Sequence, residues 1–301
     1  MIRPAIRDDS PRVAALLSAV FDDRVTTVAG IRYRWKSTPP EDRLSSWLAE
    51  NGGEVVGWAI GGIDAFAPLR TTAFAGLAVH PDHRARGIGS ALWAVLSAHL
   101  DEIGARRIVA RSQADQNSKA FVDRCGFRLE GTHTGLAVDP RTMAPPPPSP
   151  PGIEIATLGS FADDPRRVYV ADYESSLDEP GPGDISGMTY ETWLRLTWDN
   201  PECDRELSTV AVADGVPVGI SLLETDRASG RAVNVGTGVT PAFRGRGLGL
   251  LMKQVSLRSA AAAGITRVIT QNDDTNAPMV AINARLGYTP FSTGHSWVLE
   301  R

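Results

Sequence analysis

Two six-residue words in the chain have the residue types for anion chemistry: "RARGIG" at Arg84–Gly89 and "RGRGLG" at Arg244–Gly249. Each follows a strand-like run stopped by a proline, Pro81 or Pro241, and each opens a helical pattern. Glycines at such a junction have no Cβ, so backbone N–H groups can approach a ligand closely. The first N–H groups of a helix lack internal partners, and the helix dipole adds positive potential there. Ala85, Arg86, Gly87, Ile88, Gly89 and Ser90 in the first word, and Gly245, Arg246, Gly247, Leu248, Gly249 and Leu250 in the second, are expected to cradle a pyrophosphate. Arg84 and Arg244 add charged donors at the rim. Neither word is a Walker loop, which needs G-x-x-x-x-G-K-[ST]. Neither has the dinucleotide spacing G-x-G-x-x-G after a first strand.

The elements that must hold these words are themselves repeated. Each half opens on a short strand, "MIRPAI" or "GIEIATL", followed by helical stretches. Next comes a hairpin with an Asn-Gly or Asp-Gly turn, at Asn51-Gly52 or Asp214-Gly215. A strand then leads into the word, and helix, strand, helix and strand follow. From the first Arg to the closing Gly-aromatic pair the register holds to one residue, Arg84 to Gly126 against Arg244 to Gly287. Periodicity predicts a β-α-α-β-β-β-α-β-α-β unit, duplicated, of mixed α/β class. Between the copies lies "DPRTMAPPPPSPPG", whose prolines favour an extended spacer. The expected division is 1–139, a linker at 140–152, and 153–301.

With these features in place, the chain resembles the GCN5-related N-acetyltransferase (GNAT) superfamily, whose signature is Q/R-x-x-G-x-G/A. Arg84, Gly87 and Gly89 match it, as do Arg244, Gly247 and Gly249. The resemblance covers both halves outside the linker. It implies two GNAT folds in tandem, each a twisted, mostly antiparallel sheet flanked by helices. It also implies acyl-CoA, most simply acetyl-CoA, as co-substrate, with the ends of the preceding strands beside pantetheine and thioester. Those ends are Leu77, Ala78 and Val79, and Thr237, Gly238 and Val239. The family often adds an Asn eleven residues before the closing Gly, which Asn276 matches and Asp115 replaces in the first half.

The resemblance further implies transfer of an acyl group to a primary amine of a small molecule. That chemistry needs a base for the amine, a donor for the carbonyl oxygen and a donor for the leaving thiolate. In this family a backbone N–H of the splayed strand usually serves the carbonyl, and a Tyr four residues before the closing Gly serves the thiolate. Here that position holds Val122 and Asn283; only Asn283 can donate a hydrogen bond. Candidate bases are Glu224 and Asp226, with Asp64 and His80 in the first half. Glu224 and Asn283 make the second half the expected working copy, with the first binding CoA or serving as scaffold. For acceptor recognition the candidates are Asp184, Tyr190, Trp193, Trp198 and Asp199, or the basic run Arg24, Arg32, Arg34 and Lys36. A non-catalytic acyl-CoA-binding or regulatory protein remains the second reading.

Composition narrows the class. The chain has 301 residues, 42% hydrophobic and 22% charged, with net charge −4. These are values of an ordinary globular protein, and they argue against nucleic acid as a partner. Two cysteines, Cys125 and Cys203, give neither a disulfide framework nor zinc spacing. No metal is expected. A cytoplasmic setting, no membrane association, and a monomer or homodimer are the corresponding expectations.

Overall fold

The computed structural model describes residues 1–179 and 185–301; Asp184 lies outside the described residues. The first half runs β1 (Ile2–Pro4), α1 (Ser10–Val20), α2 (Val28–Ser37), β2 (Ser45–Asn51), β3 (Glu54–Ile63), β4 (Thr72–Val79), α3 (Ile88–Glu102), β5 (Arg107–Gln113), α4 (Gln116–Arg124) and β6 (Arg128–Val138). The second repeats it: β7 (Ile153–Thr157), α5 (Arg166–Ser176), α6 (Tyr190–Trp193), β8 (Thr209–Ala213), β9 (Val216–Asp226), β10 (Arg231–Val239), α7 (Leu248–Ala262), β11 (Arg267–Asp273), α8 (Ala277–Arg285) and β12 (Thr289–Glu300). The order of elements is that of the repeat read from periodicity. Both hairpin turns form where Asn-Gly and Asp-Gly predict them, with Gly52 and Gly53, then Asp214 and Gly215, at positive φ.

The twelve strands among the described residues join in one mixed sheet, in the order β1-β2-β3-β4-β5-β12-β6-β11-β10-β9-β8-β7. Only β4–β5 and β10–β11 are parallel among the described pairs. Helices cover both faces. Leu92, Leu96 and Leu100 of α3 pack with Val56 and Ile108 on one face. Val13, Leu16 and Leu17 of α1 pack with Leu48 and Ile60 on the other. Trp193 and Trp198 are buried in the corresponding cluster of the second half and do not line a slot.

The last strand of each half crosses into the other. β12 pairs with β5 from Gly294↔Gln113 to Glu300↔Arg107, and β6 pairs with β11 from Val138↔Val268 to His133↔Asp273. β6 and β12 then pair with each other at the centre. Gly294 makes room there for the His133 ring, which would have to move if this position carried a Cβ. Buried Asp23 ties the seam, accepting from Gln113 Nε2 at 3.0 Å and Gln271 Nε2 at 3.1 Å. Among the described residues no helix is long and apolar enough to cross a membrane.

Candidate functional site

Both glycine words form the same turn. Gly87 (φ 82°) and Gly247 (φ 76°) precede α3 and α7 in left-handed conformation, and a Cβ on either would meet nothing within 4 Å. Their open side is therefore space for a ligand. The earliest helical N–H groups bonded within the chain are those of Ala91, to Gly87 O, and Leu251, to Gly247 O. The N–H groups before them remain for an anion. Gly89 and Gly249 have a different task. A Cβ there would meet Phe121 or Ile282 at 3.3 Å, so these glycines let α4 and α8 close against the loop. The leading arginines fold back: Arg84 Nε donates to Val79 O at 3.2 Å and Arg244 Nε to Val239 O at 2.9 Å. Arg244 also pairs with Asp178. Their first role is to fasten strand end to loop. Arg246 lies over the Phe243 ring at 4.7 Å.

The strands ahead of the loops are splayed. β4 and β5 pair only from Thr72↔Arg107 to Ala75↔Ala110, although β4 continues to Val79. β10 and β11 pair only from Arg231↔Arg267 to Asn234↔Thr270, although β10 continues to Val239. Leu77–Val79 and Thr237–Val239 thus each edge a notch that leads to a glycine loop. The halves differ at this point. β10 carries a bulge at Val235, between the pairs Asn234↔Leu223 and Gly236↔Leu222. β4 pairs with β3 without interruption.

Asn276 is the N-cap of α8, its side chain accepting from Met279 N at 3.2 Å. Asp115 caps α4 in the same way. Capping is a sufficient reason for a polar residue at this offset. Asn283 is fully buried, and its amide N and O have no hydrogen-bond partner. Val122, its counterpart, is core. His80 caps the turn at Pro81, Nδ1 accepting from Asp82 N.

Glu224 stands apart from the other carboxylates. It lies on β9 directly across from Val233 of β10, one pair away from the last pair before the Val235 bulge, Asn234↔Leu223. Its Oε1 accepts from Asn200 Nδ2 at 2.9 Å. Burial, reinforced by the charge of Glu202, pushes its carboxyl up to about 7, against the pull of Arg34 and the Asn200 bond. Glu202 is held from the first half, where Thr27 N donates to its Oε1 at 2.6 Å. Two carboxylates and Arg34 of α2 therefore meet where the halves touch. The first half has no equivalent: register places Gly62 at the position of Glu224. A Cβ on Gly62 would meet Asp42 O at 2.7 Å. Asp64 aligns instead with Asp226; burial raises its carboxyl too. A cleft of about 460 Å³ opens nearby between Thr27 and Arg227, but no glycine-loop residue lines it.

Sequence reasoning missed Lys253. It is buried on α7, with Nζ 2.8 Å from Asn234 Oδ1, and desolvation lowers its pKa to about 7. The signal was a lysine on the buried stripe that also carries Leu248, Met252 and Leu257. No group of three or more His, Cys, Asp or Glu among the described residues could hold a metal ion.

Comparison with known proteins follows the same division. The profile of the acetyltransferase (GNAT) family matches residues 11–127 and 165–288. A mycothiol acetyltransferase of Frankia casuarinae is 26% identical, over 100% of this chain and 87% of its own length. Another, from a Nocardioides species, is 28% identical over 82% of each. Among solved structures, a tandem GNAT protein from the clavulanic acid biosynthesis pathway aligns with a TM-score of 0.75 at 23% identity, covering 100% of this chain and 98% of that one. A GCN5-related N-acetyltransferase from Sphaerobacter thermophilus aligns at 0.73 and 21%, covering 100% and 95%. With its profile matched once in each half and a tandem neighbour sharing the whole fold, the chain belongs to the acetyltransferase (GNAT) family of acyl-CoA-dependent N-acetyltransferases.

Proposed function

We propose that the protein transfers an acetyl group from acetyl-CoA to a primary amine of a small molecule, and that the second half carries the reaction. The observation behind this reading is Glu224. A carboxyl poised near neutral pH beside the bulged notch suits a general base, and the first half has glycine in its place. Glu224 takes the proton of the incoming ammonium. The amine nitrogen then bonds to the thioester carbonyl carbon, and the carbon–sulfur bond breaks. The oxygen gains charge in between, and a backbone N–H of the splayed strand β10 stabilises it. Asn283 has two N–H donors for the departing sulfur; the second proton of the attacking nitrogen leaves to solvent as the amide forms, and solvent returns one to the thiolate. Phosphates rest on 245–250, with Thr237–Val239 beside the pantetheine arm and Asn276 near the same channel. The first loop, 84–90, with Leu77–Val79, binds CoA without turnover or serves as scaffold.

The relatives described above are named mycothiol acetyltransferases; what we carry over to this chain is a small-molecule acceptor class. Arg34 and Thr27 bring the first half to the rim of the proposed acceptor site, so both halves would shape acceptor choice. A cytoplasmic location fits this chemistry, since acetyl-CoA is made and used there.

Turnover of acetyl-CoA against a panel of amino sugars, amino acids and polyamines, read as released thiol, tests the reading. Gly247→Asp places a carboxylate in the anion cradle and should remove turnover; Gly87→Asp should leave most of it. The reverse pattern would transfer catalysis to the first half. Binding without turnover on any amine would make the protein a non-catalytic acyl-CoA-binding member of the family.

A further inference from the structure

The two notches can be compared position by position, because their registers align. On the α3 or α7 side, the first half is apolar at six places where the second is polar. Ala59 becomes Ser221, Ala75 becomes Asn234, Leu77 becomes Thr237, Trp93 becomes Lys253, Val122 becomes Asn283 and Phe127 becomes Tyr288. In the first half Trp93 packs on Phe127, with ring centroids 5.4 Å apart. In the second, Lys253 Nζ lies over the Tyr288 ring at 5.1 Å. The Tyr288 hydroxyl and both amide atoms of Asn283 are buried without a hydrogen-bond partner.

The polar groups close a ring. Lys253 donates to Asn234 Oδ1, which turns the amide nitrogen the other way. Asn234 Nδ2 then faces Leu222 O at 2.8 Å, Ser221 Oγ at 3.0 Å and Gly236 O at 3.3 Å. Thr237 Oγ1 donates to Asn234 Oδ1 at 3.0 Å. Having given its proton there, Thr237 must accept from Ser221 across their 3.0 Å contact. Leu222 and Gly236 are the first register pair beyond the Val235 bulge, so the amide of Asn234, reaching both their carbonyls from the other side, spans the gap in the ladder. A bulge leaves its extra residue unpaired and bends the strand; here a side chain fixes that bend, and the lysine fixes the side chain.

We propose that Lys253 is a positioning residue for acyl transfer in the second half: through Asn234 it locks the β10 bulge, and so aims the strand backbone at Gly236–Thr237 toward the thioester carbonyl. The proposal rests on acetyl-CoA occupying the second loop. Its energetic logic is that of an electrostatic site, where a donor fixed beforehand costs no reorganisation when charge develops. A buried amine with one protein acceptor is otherwise an expensive way to fill the volume that Trp93 fills in the first half.

The test needs no acceptor. [1-13C]acetyl-CoA is bound to protein carrying Gly87→Asp, so that only the second loop is loaded, and the carbonyl 13C resonance is recorded. The expected resonance lies downfield of free acetyl-CoA, the mark of a polarised carbonyl. Lys253→Met returns it at least about half way to the free position, while the dissociation constant changes less than about threefold. Lys253→Gln, which keeps a donor to Asn234, restores the shift. Asn234→Leu removes the bridge itself and must reproduce the loss, which keeps the test open if Lys253→Met does not fold. A Lys253→Met or Asn234→Leu protein that retains the full shift overturns the proposal, as does a bound resonance at the free position. Absence of binding to the Gly87→Asp protein overturns the underlying loop assignment, and is told apart by calorimetry.

Discussion

Glu224→Gln should make the protein more stable and less active, and the two effects should share one pH dependence. Glutamine keeps the shape and can still accept the Asn200 bond, so the change removes the charge and little else. An unfolded glutamate titrates near 4.5, whereas burial and Glu202 hold the folded one near 7. The folded state therefore favours the protonated form. That contribution to stability is complete below pH 4.5 and is lost as pH rises to about 7. A rise of this size corresponds to about 3 kcal/mol, an upper value because Arg34 and partial solvent contact relax the charge. At pH 8 Glu224→Gln should raise Tm by roughly 5 °C. At pH 4.5 the variant and the parent should unfold together, since both are neutral at this site. In the same protein the rate should fall by about 10²- to 10⁴-fold, and the rise of kcat/KM through pH 7 should vanish. Thermal unfolding at the two pH values and a pH–rate profile provide the measurements. A Tm gain equal at both pH values, or an inflection near 7 that survives the substitution, would refute the reasoning.

Other expectations follow from geometry alone. Ala85 sits at φ 58°, where the second half has Gly245 at φ 75°; Ala85→Gly should stabilise by about 0.5–1 kcal/mol, seen as a small rise in Tm. Asp23 is the only carboxylate accepting from both Gln113 and Gln271 among the described residues. Asp23→Ala should cost about 2–3 kcal/mol, measured by urea unfolding, because the amides on both sides of the seam lose a charged partner.

Much of the local structure around the two words was readable because its signals are local. The glycine words, their prolines and the two hairpin turns are defined by neighbours in the chain, and backbone sterics decide the outcome. The residues behind the notch are different. Glu224 reads as the polar end of a hairpin strand; its raised pKa comes from burial, reinforced by the charge of Glu202, a residue that Thr27 of the other half holds in place. Asn276 has the offset of a ligand, yet the same offset is that of a helix cap. Periodicity assigns a strand a buried face but does not choose its neighbour, so nothing in the alternation of Arg128–Val138 announces that it pairs with Arg267–Asp273. Lys253 was legible as a lysine on an apolar stripe, though its partner Asn234 lies on another element.

The crossed strands also bear on how two equal copies come to differ. In a pair of identical separate chains exchanging strands in this way, every substitution would be made twice. A glutamate at the Glu224 position would then also have to fit at Gly62, where an added Cβ would meet Asp42 O at 2.7 Å. Because β6 and β12 belong to one covalent chain, each position is changed singly. One copy can keep close packing while the other takes on buried charge, and the packed copy supplies the stability that such charge consumes.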